Sequence, residues 1–149
     1  MRVPHDSYVL VADGAKMLFF RNEGDAENIN LKVVAAEQQA DPADRDIKRD
    51  QAGQKPASAG YGGSTANEPD YHQQAEDQFA SDAAQRINRA ALANAFESLI
   101  IIAAPKTLGA LRKHYHKQVE AKITAEIAKD LTGHSVDKIE TILQKHGED

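Results

Sequence analysis

Short apolar runs separated by turn signals dominate the first 36 positions of the chain. Residues 7–12 and 17–20 are two such runs, and the pair Asp13-Gly14 lies between them. An Asp-Gly pair between two β-prone runs is the strongest local signal for a hairpin. A third run, at 29–36, follows a polar, turn-like stretch. The pattern predicts an antiparallel meander of three strands, and it explains Asp13 as a turn residue.

The composition changes abruptly over residues 39–70. This stretch is rich in Asp, Gln, Gly, Pro, Ser and Ala, and Ile47 is its single large aliphatic residue. Such a segment cannot bury enough apolar surface to offset the entropy that it loses on ordering. We therefore predict one long flexible loop at about 39–70, within a single domain that spans residues 1–149.

A four-residue spacing of apolar positions predicts a long helix over residues 71–95. Residues 98–103 form a continuous apolar run, which is typical of a strand buried on both faces, and Pro105 ends it. Thr107 is then expected to cap a helix from about residue 108 to residue 117. The apolar stripe of the long helix consists of Ala75, Phe79, Ala83, Ile87 and Ala91.

Residues 119–127 carry two overlapping patterns, a strict alternation and an i, i+4 spacing. The β-branched residues at alternating positions favour an amphipathic strand. Residues 129–132 then read as a strand exit that leads into a turn. Ser135 is expected to cap a last helix over residues 136–145.

The order of these elements predicts an α/β fold. Strands that are joined through helices pair in parallel by right-handed crossovers, and here they lie beside the antiparallel meander. We therefore expect a mixed five-stranded sheet with βαβ crossovers, and helices that cover the sheet.

Composition narrows the classes of function. The chain has no Cys and no Trp, which excludes disulfide scaffolds and thiolate chemistry. It has no export signal and no long apolar span, so we expect a cytoplasmic protein that does not contact a membrane. Its net charge of −5 argues against diffuse binding of nucleic acid over the whole surface. Any anion site must therefore be local.

Three segments resemble a known bacterial family, the "protein required for attachment to host cells". They are residues 9–16, residues 100–112 with the specific run Ala-Pro-Lys-Thr-Leu-Gly-Ala-Leu-Arg, and residues 126–132 with Lys-Asp-Leu-Thr. That family is similar in fold to the middle domain of archaeal and eukaryotic class I release factors and of the rescue factor Pelota. The resemblance implies a link to translation, with RNA, tRNA or the ribosome as partners.

In release factors, the loop before the long helix carries a Gly-Gly-Gln tripeptide that positions water at the ester of peptidyl-tRNA. The nearest tripeptides here are Ala52-Gly53-Gln54 and Gly62-Gly63-Ser64, and neither is complete. The departure favours a noncatalytic or weakly catalytic protein and leaves Gln54 as a weak catalytic candidate. A peptidyl-tRNA or related ester hydrolase that uses a loop glutamine is one alternative, and a protein-interaction module in attachment or stress is another.

A local basic patch follows the buried strand. No acidic residue lies between Glu97 and Glu120, and the N–H groups at a helix N-terminus attract anions. The alternative is that Thr107 only caps the helix, that Gly109 allows close packing of helix and strand, and that the charges form a solvated face. No cofactor fingerprint is present, and His114 and His116 at i, i+2 do not share a helical face, so no metal is expected. The candidate binding residues are Lys106, Thr107, Gly109, Arg112, Lys113 and Lys117.

Overall fold

The computed structural model describes residues 1–38 and 63–146, and it contains five strands and four helices in that part of the chain. The first three strands precede the long helix, and two strands and three shorter helices follow it. The elements are β1 Tyr8–Ala12, β2 Lys16–Asn22, β3 Leu31–Gln38, α1 Gly63–Leu92, β4 Leu99–Ala103, α2 Pro105–Arg112, α3 Lys117–Lys122, β5 Ile123–Ile127 and α4 Val136–Lys145.

The sheet has the strand order β3-β2-β1-β4-β5. The pairs β1/β2 and β2/β3 are antiparallel. A tight turn at residues 13–15 joins the first pair, as the Asp-Gly signal predicted, and residues 23–30 join the second. The pairs β1/β4 and β4/β5 are parallel, and helices connect their strands. These pairings confirm the predicted α/β fold with a mixed five-stranded sheet and an N-terminal meander.

Two apolar layers hold the sheet between helices. One layer packs α1, α2 and α3 against one face through residues that include Ile101, and the other packs α4 against the opposite face through residues that include Ile100. All five residues of β4 are buried, as expected for the continuous apolar run. The packing is mainly aliphatic, with one aromatic cluster of Tyr8, Phe19 and Phe96.

Helix α1 begins at Gly63, eight residues before the predicted start, and ends at Leu92 rather than at residue 95. The predicted stripe is confirmed, since Phe79, Ala83 and Ile87 are buried. The prediction of a loop as far as residue 70 was wrong over 63–70, which are helical. A polar composition does not by itself end a helix, since an existing helix adds one hydrogen bond for each residue that it gains. The remainder of the predicted loop, 39–62, lies outside the described residues.

The segment after β4 is divided differently from the prediction. Helix α2 starts at Pro105, whose fixed φ suits a first helical turn, and the cap residue is Ala104 without a side-chain hydrogen bond, so Thr107 is not the cap. The helix also ends at Arg112 rather than at residue 117. Buried Asn88 on α1 holds the turn that follows: its Nδ2 donates to the His114 carbonyl at 3.0 Å and its Oδ1 accepts from the His116 N–H at 3.0 Å.

The predicted strand over residues 119–127 was wrong in its first half. Residues 117–122 form α3, with Val119 buried, and the strand is confined to Ile123–Ile127. The segment is therefore divided between a short helix and a short strand. The last helix is confirmed at its predicted bounds, and Ser135 Oγ accepts from the Lys138 N–H at 3.3 Å.

Candidate functional site

The candidate site is built where α2 leaves the carboxyl edge of the parallel strands. Strand β4 ends at Ala103 and α2 begins two residues later, so the helix N-terminus lies at the edge of the sheet. The first bond of the helix runs from the Leu108 N–H to the Ala104 carbonyl at 2.8 Å, which leaves the preceding N–H groups without a helical acceptor. No acidic residue occupies the first turn. The positive end of the helix dipole is therefore not neutralised by its own turn.

The two faces of α2 differ sharply. Leu108 and Leu111 are buried against the α1 side of the sheet. Lys106, Gly109 and Lys113 recur at i, i+3 and i+7, which places them together on the opposite face. Both lysines are exposed, and a Cβ built on Gly109 would meet nothing within 4 Å. The interpretation of Gly109 as a residue that allows close packing of helix and strand was therefore wrong, because no neighbour would contact a side chain there.

Replacing Gly109 by Ala should stabilise the protein by about 0.5–1 kcal/mol, because alanine loses less backbone entropy in a helix and its methyl group meets no neighbour. Thermal and urea unfolding of the parent and of Gly109→Ala would measure the change. Gly14→Ala is a suitable comparison, because a Cβ at Gly14 would lie 2.8 Å from Glu76 Cγ. A lower melting temperature for Gly109→Ala would show that its surroundings are not open.

Arg112 is engaged within the molecule. Its Nε and Nη2 donate to Glu126 Oε1 of β5 at 3.0 and 2.6 Å, and this hydrogen bond raises the pKa of Arg112 above its ordinary value. Tyr115 lies in the same electrostatic environment. Burial raises the pKa of Tyr115, so the side chain stays neutral, and its hydroxyl has no hydrogen-bond partner in the described part of the chain. Arg112 therefore links α2 to β5. Because its charge is already paired with Glu126, it is less available to a ligand than the neighbouring lysines.

Lys117 opens α3, directly after the turn that Asn88 holds. It is exposed, as are Lys106 and Lys113. Within residues 1–38 and 63–146, none of these three ammonium groups takes part in a side-chain hydrogen bond or an ion pair. We call Lys106, Lys113 and Lys117 the lysine surface. Thr107 is half-buried in the first turn of α2, and Gln54 lies outside the described residues.

A second polar cluster at the same edge of the sheet was not predicted. The hydroxyl of Thr132, which is 7% exposed, lies 2.7 Å from Asp13 Oδ2 and 2.9 Å from Asp130 Oδ1. Asp13 Oδ1 also accepts from the N–H groups of Ala15 and Lys16, which confirms its role in the turn. Asp13 and Thr132 are 119 positions apart, so only the rule that parallel strands end at one edge could have brought them together.

The described residues hold no group of three His, Cys, Asp or Glu side chains that could bind a metal ion. Over the same residues, no helix has both the length and the apolar character needed to cross a membrane. The site thus consists of exposed lysines, free helix N–H groups and a network that ties the edge of the sheet together.

The sequence pattern of the bacterial archaeo-eukaryotic release factor family 12 matches residues 6–143, which is almost the whole chain. The chain belongs to this family. The match runs from the residues before β1 into α4, so it includes the carboxyl edge and the lysine surface. Membership confirms the predicted resemblance to release factors, whereas the predicted link to host attachment stays a prediction.

A relative of this release-factor family member occurs in Rickettsia prowazekii (strain Madrid E). It is an uncharacterized protein that is 47% identical over 45 residues. The aligned segment covers 30% of this chain and 30% of the Rickettsia protein. The short match supports kinship over one segment and assigns no activity.

Proposed function

We propose that this release-factor family member binds tRNA or ribosomal RNA through the lysine surface, in the cytoplasm, without hydrolysing an ester. One observation carries the proposal. Three exposed lysines without an intramolecular partner among the described residues follow a free helix N-terminus, on a chain whose net charge is −5. A local group of lysines without acidic partners, on a protein that is acidic overall, is the arrangement expected of a local phosphate contact.

Gly109 supports the proposed contact. An interior helical glycine lowers stability, and a side chain at this position would be accommodated. A phosphate backbone can approach a helix more closely at a glycine than at a residue with a side chain, and Lys106 and Lys113 then lie on either side of it. Packing does not require a glycine at this position, whereas close approach of a phosphate backbone would explain it.

The noncatalytic part of the proposal rests on the sequence. Ala52-Gly53-Gln54 stands in place of a complete Gly-Gly-Gln, so the chain lacks the full tripeptide that positions water in release factors. An effect on attachment to host cells would then follow from altered translation rather than from direct contact with a host surface.

Ultraviolet crosslinking in cells, followed by sequencing of the captured RNA, would test the proposal. We expect tRNA or ribosomal RNA to be enriched, with crosslinked peptides that contain Lys106 or residues 113–117. A control capture with Lys138→Glu and Lys145→Glu, which alter the far side of the sheet, should recover the same RNA. Recovery of a protein partner without RNA would overturn the proposal in favour of an interaction module.

A further inference from the structure

Among residues 1–38 and 63–146, strand β3 forms one edge of the sheet and pairs with β2 alone. No strand of that part of the chain covers its outer row of backbone N–H and C=O groups, and such a row can pair with another strand. Val33 and Val34, at 56% and 50% exposure, are two of the three large exposed apolar residues in the described part of the chain. An open edge with exposed valines is a surface suited to the addition of a strand.

A bulge sets the faces of β3. Phe19 lies opposite Ala35 and Phe20 lies opposite Val33, so Val34 is an extra residue in the ladder. In a regular strand, Lys32 and Glu37, five positions apart, would point to opposite faces. The extra residue places both on the α1 face, since Lys32 lies opposite Arg21 and Glu37 lies opposite Met17, which packs in the α1 layer.

When two copies of the chain are related by a two-fold axis at this edge, the positive charge of one copy meets the negative charge of the other. Two copies of β3 can pair antiparallel with the two-fold axis at Ala35, if the bulged Val34 of each copy stays outside the ladder. In this register, Lys32 of each copy lies opposite Glu37 of the other. The same register sets Val33 opposite Ala36, on the α4 face. Within its own chain, Lys32 lies opposite Arg21, whose charge is already paired with Asp6 and Glu23. Lys32 itself has no ion pair within residues 1–38 and 63–146, and Glu37 of a second copy would supply one.

We propose that two copies of this chain associate through the outer edges of β3, which joins their sheets into one continuous ten-stranded sheet. The interface is isologous, because each copy contributes the same strand and the same two charges. Backbone hydrogen bonds hold the two strands, and the Lys32–Glu37 pairs fix the register. The lysine surface lies on α2 and α3, away from this edge.

The charge pairs allow a sharp test by sedimentation velocity over a range of protein concentrations. The parent should dimerise. Lys32→Glu and Glu37→Lys should each raise the dissociation constant at least about tenfold, because each places like charges opposite one another twice. An equimolar mixture of the two variants should dimerise again, since a copy with Lys32→Glu and a copy with Glu37→Lys place opposite charges together at both contacts.

Two controls separate this interface from local damage. Glu37 also lies 3.4 Å from Arg86 of α1, so Arg86→Gln removes that ion pair without changing the edge, and this variant should remain dimeric. The doubly exchanged variant, Lys32→Glu with Glu37→Lys, should dimerise like the parent. A monomeric parent at all concentrations, a mixture of single variants that stays monomeric, or single variants that dimerise as well as the parent would each overturn the proposal.

Discussion

Replacing Ile101 by Asp is expected to unfold the domain. Ile101 is fully buried in the central strand β4, with Leu10 of β1 on one side and Glu126 of β5 on the other. A carboxylate there would lose its hydration, and it would lie opposite the carboxylate of Glu126, which already binds Arg112. The expected loss, on the order of 4 kcal/mol or more, is comparable with the whole stability of a small domain.

Circular dichroism and thermal unfolding would measure this effect, with Ile101→Val as the matched control. The valine variant keeps an apolar, β-branched side chain and should lose only about 1 kcal/mol. A cooperative melt of Ile101→Asp close to that of the parent would show that this strand is not the buried centre of the sheet.

Local signals predicted much of the fold. The Asp13-Gly14 pair and the Ser135 cap each act over a few residues, so one stretch of sequence is enough to detect them. The same holds for the apolar run of β4, whose five residues are all buried. These signals located the hairpin, the central strand and the last helix, and they led to the correct arrangement of the sheet.

Where the predicted bounds of helices and strands were wrong, contacts between residues far apart in the sequence determine the observed bounds. The turn between α2 and α3 depends on Asn88, which binds backbone groups 26 and 28 positions away. No local sequence pattern around His114 predicts that contact. The overlapping periodicities of residues 119–127 were likewise divided between α3 and β5, where Val119 enters the core as a helical residue.

The sequence predicted which charged residues belong to the candidate site, but it did not predict which of them form ion pairs. The absence of acidic residues between Glu97 and Glu120 identified the basic segment directly. The bond from Arg112 to Glu126 could not be read from that count, because the two side chains meet only when α2 packs beside β5. This bond makes Lys106 and Lys113 better targets than Arg112, whose replacement by Glu would place two carboxylates together.

Reversing the charges of Lys106 and Lys113 together should strongly weaken binding of tRNA. Both side chains are exposed on one face of α2, so Lys106→Glu with Lys113→Glu should leave the fold intact. Each neutralised phosphate releases counterions, and the slope of log affinity against log salt should fall by about two for two lysines. The affinity itself should fall roughly tenfold or more at low salt, since reversal adds repulsion to the lost contacts.

The chain offers a closely matched control. Lys138 and Lys145 of α4 are seven positions apart, as are Lys106 of α2 and Lys113, the cap residue that directly follows α2. Lys138→Glu with Lys145→Glu changes the net charge by the same amount on the opposite face of the sheet. A loss of binding in this control equal to that in the first variant would indicate a response to total charge alone.

The most direct measurement is a titration of labelled tRNA into the parent and the two double variants, each at two salt concentrations, with circular dichroism as the test of folding. We expect salt-dependent binding by the parent and the control, and a large loss for the folded Lys106→Glu, Lys113→Glu variant. No binding by the parent at low salt, or equal binding by the parent and that variant, would contradict a contact between tRNA and the lysine surface.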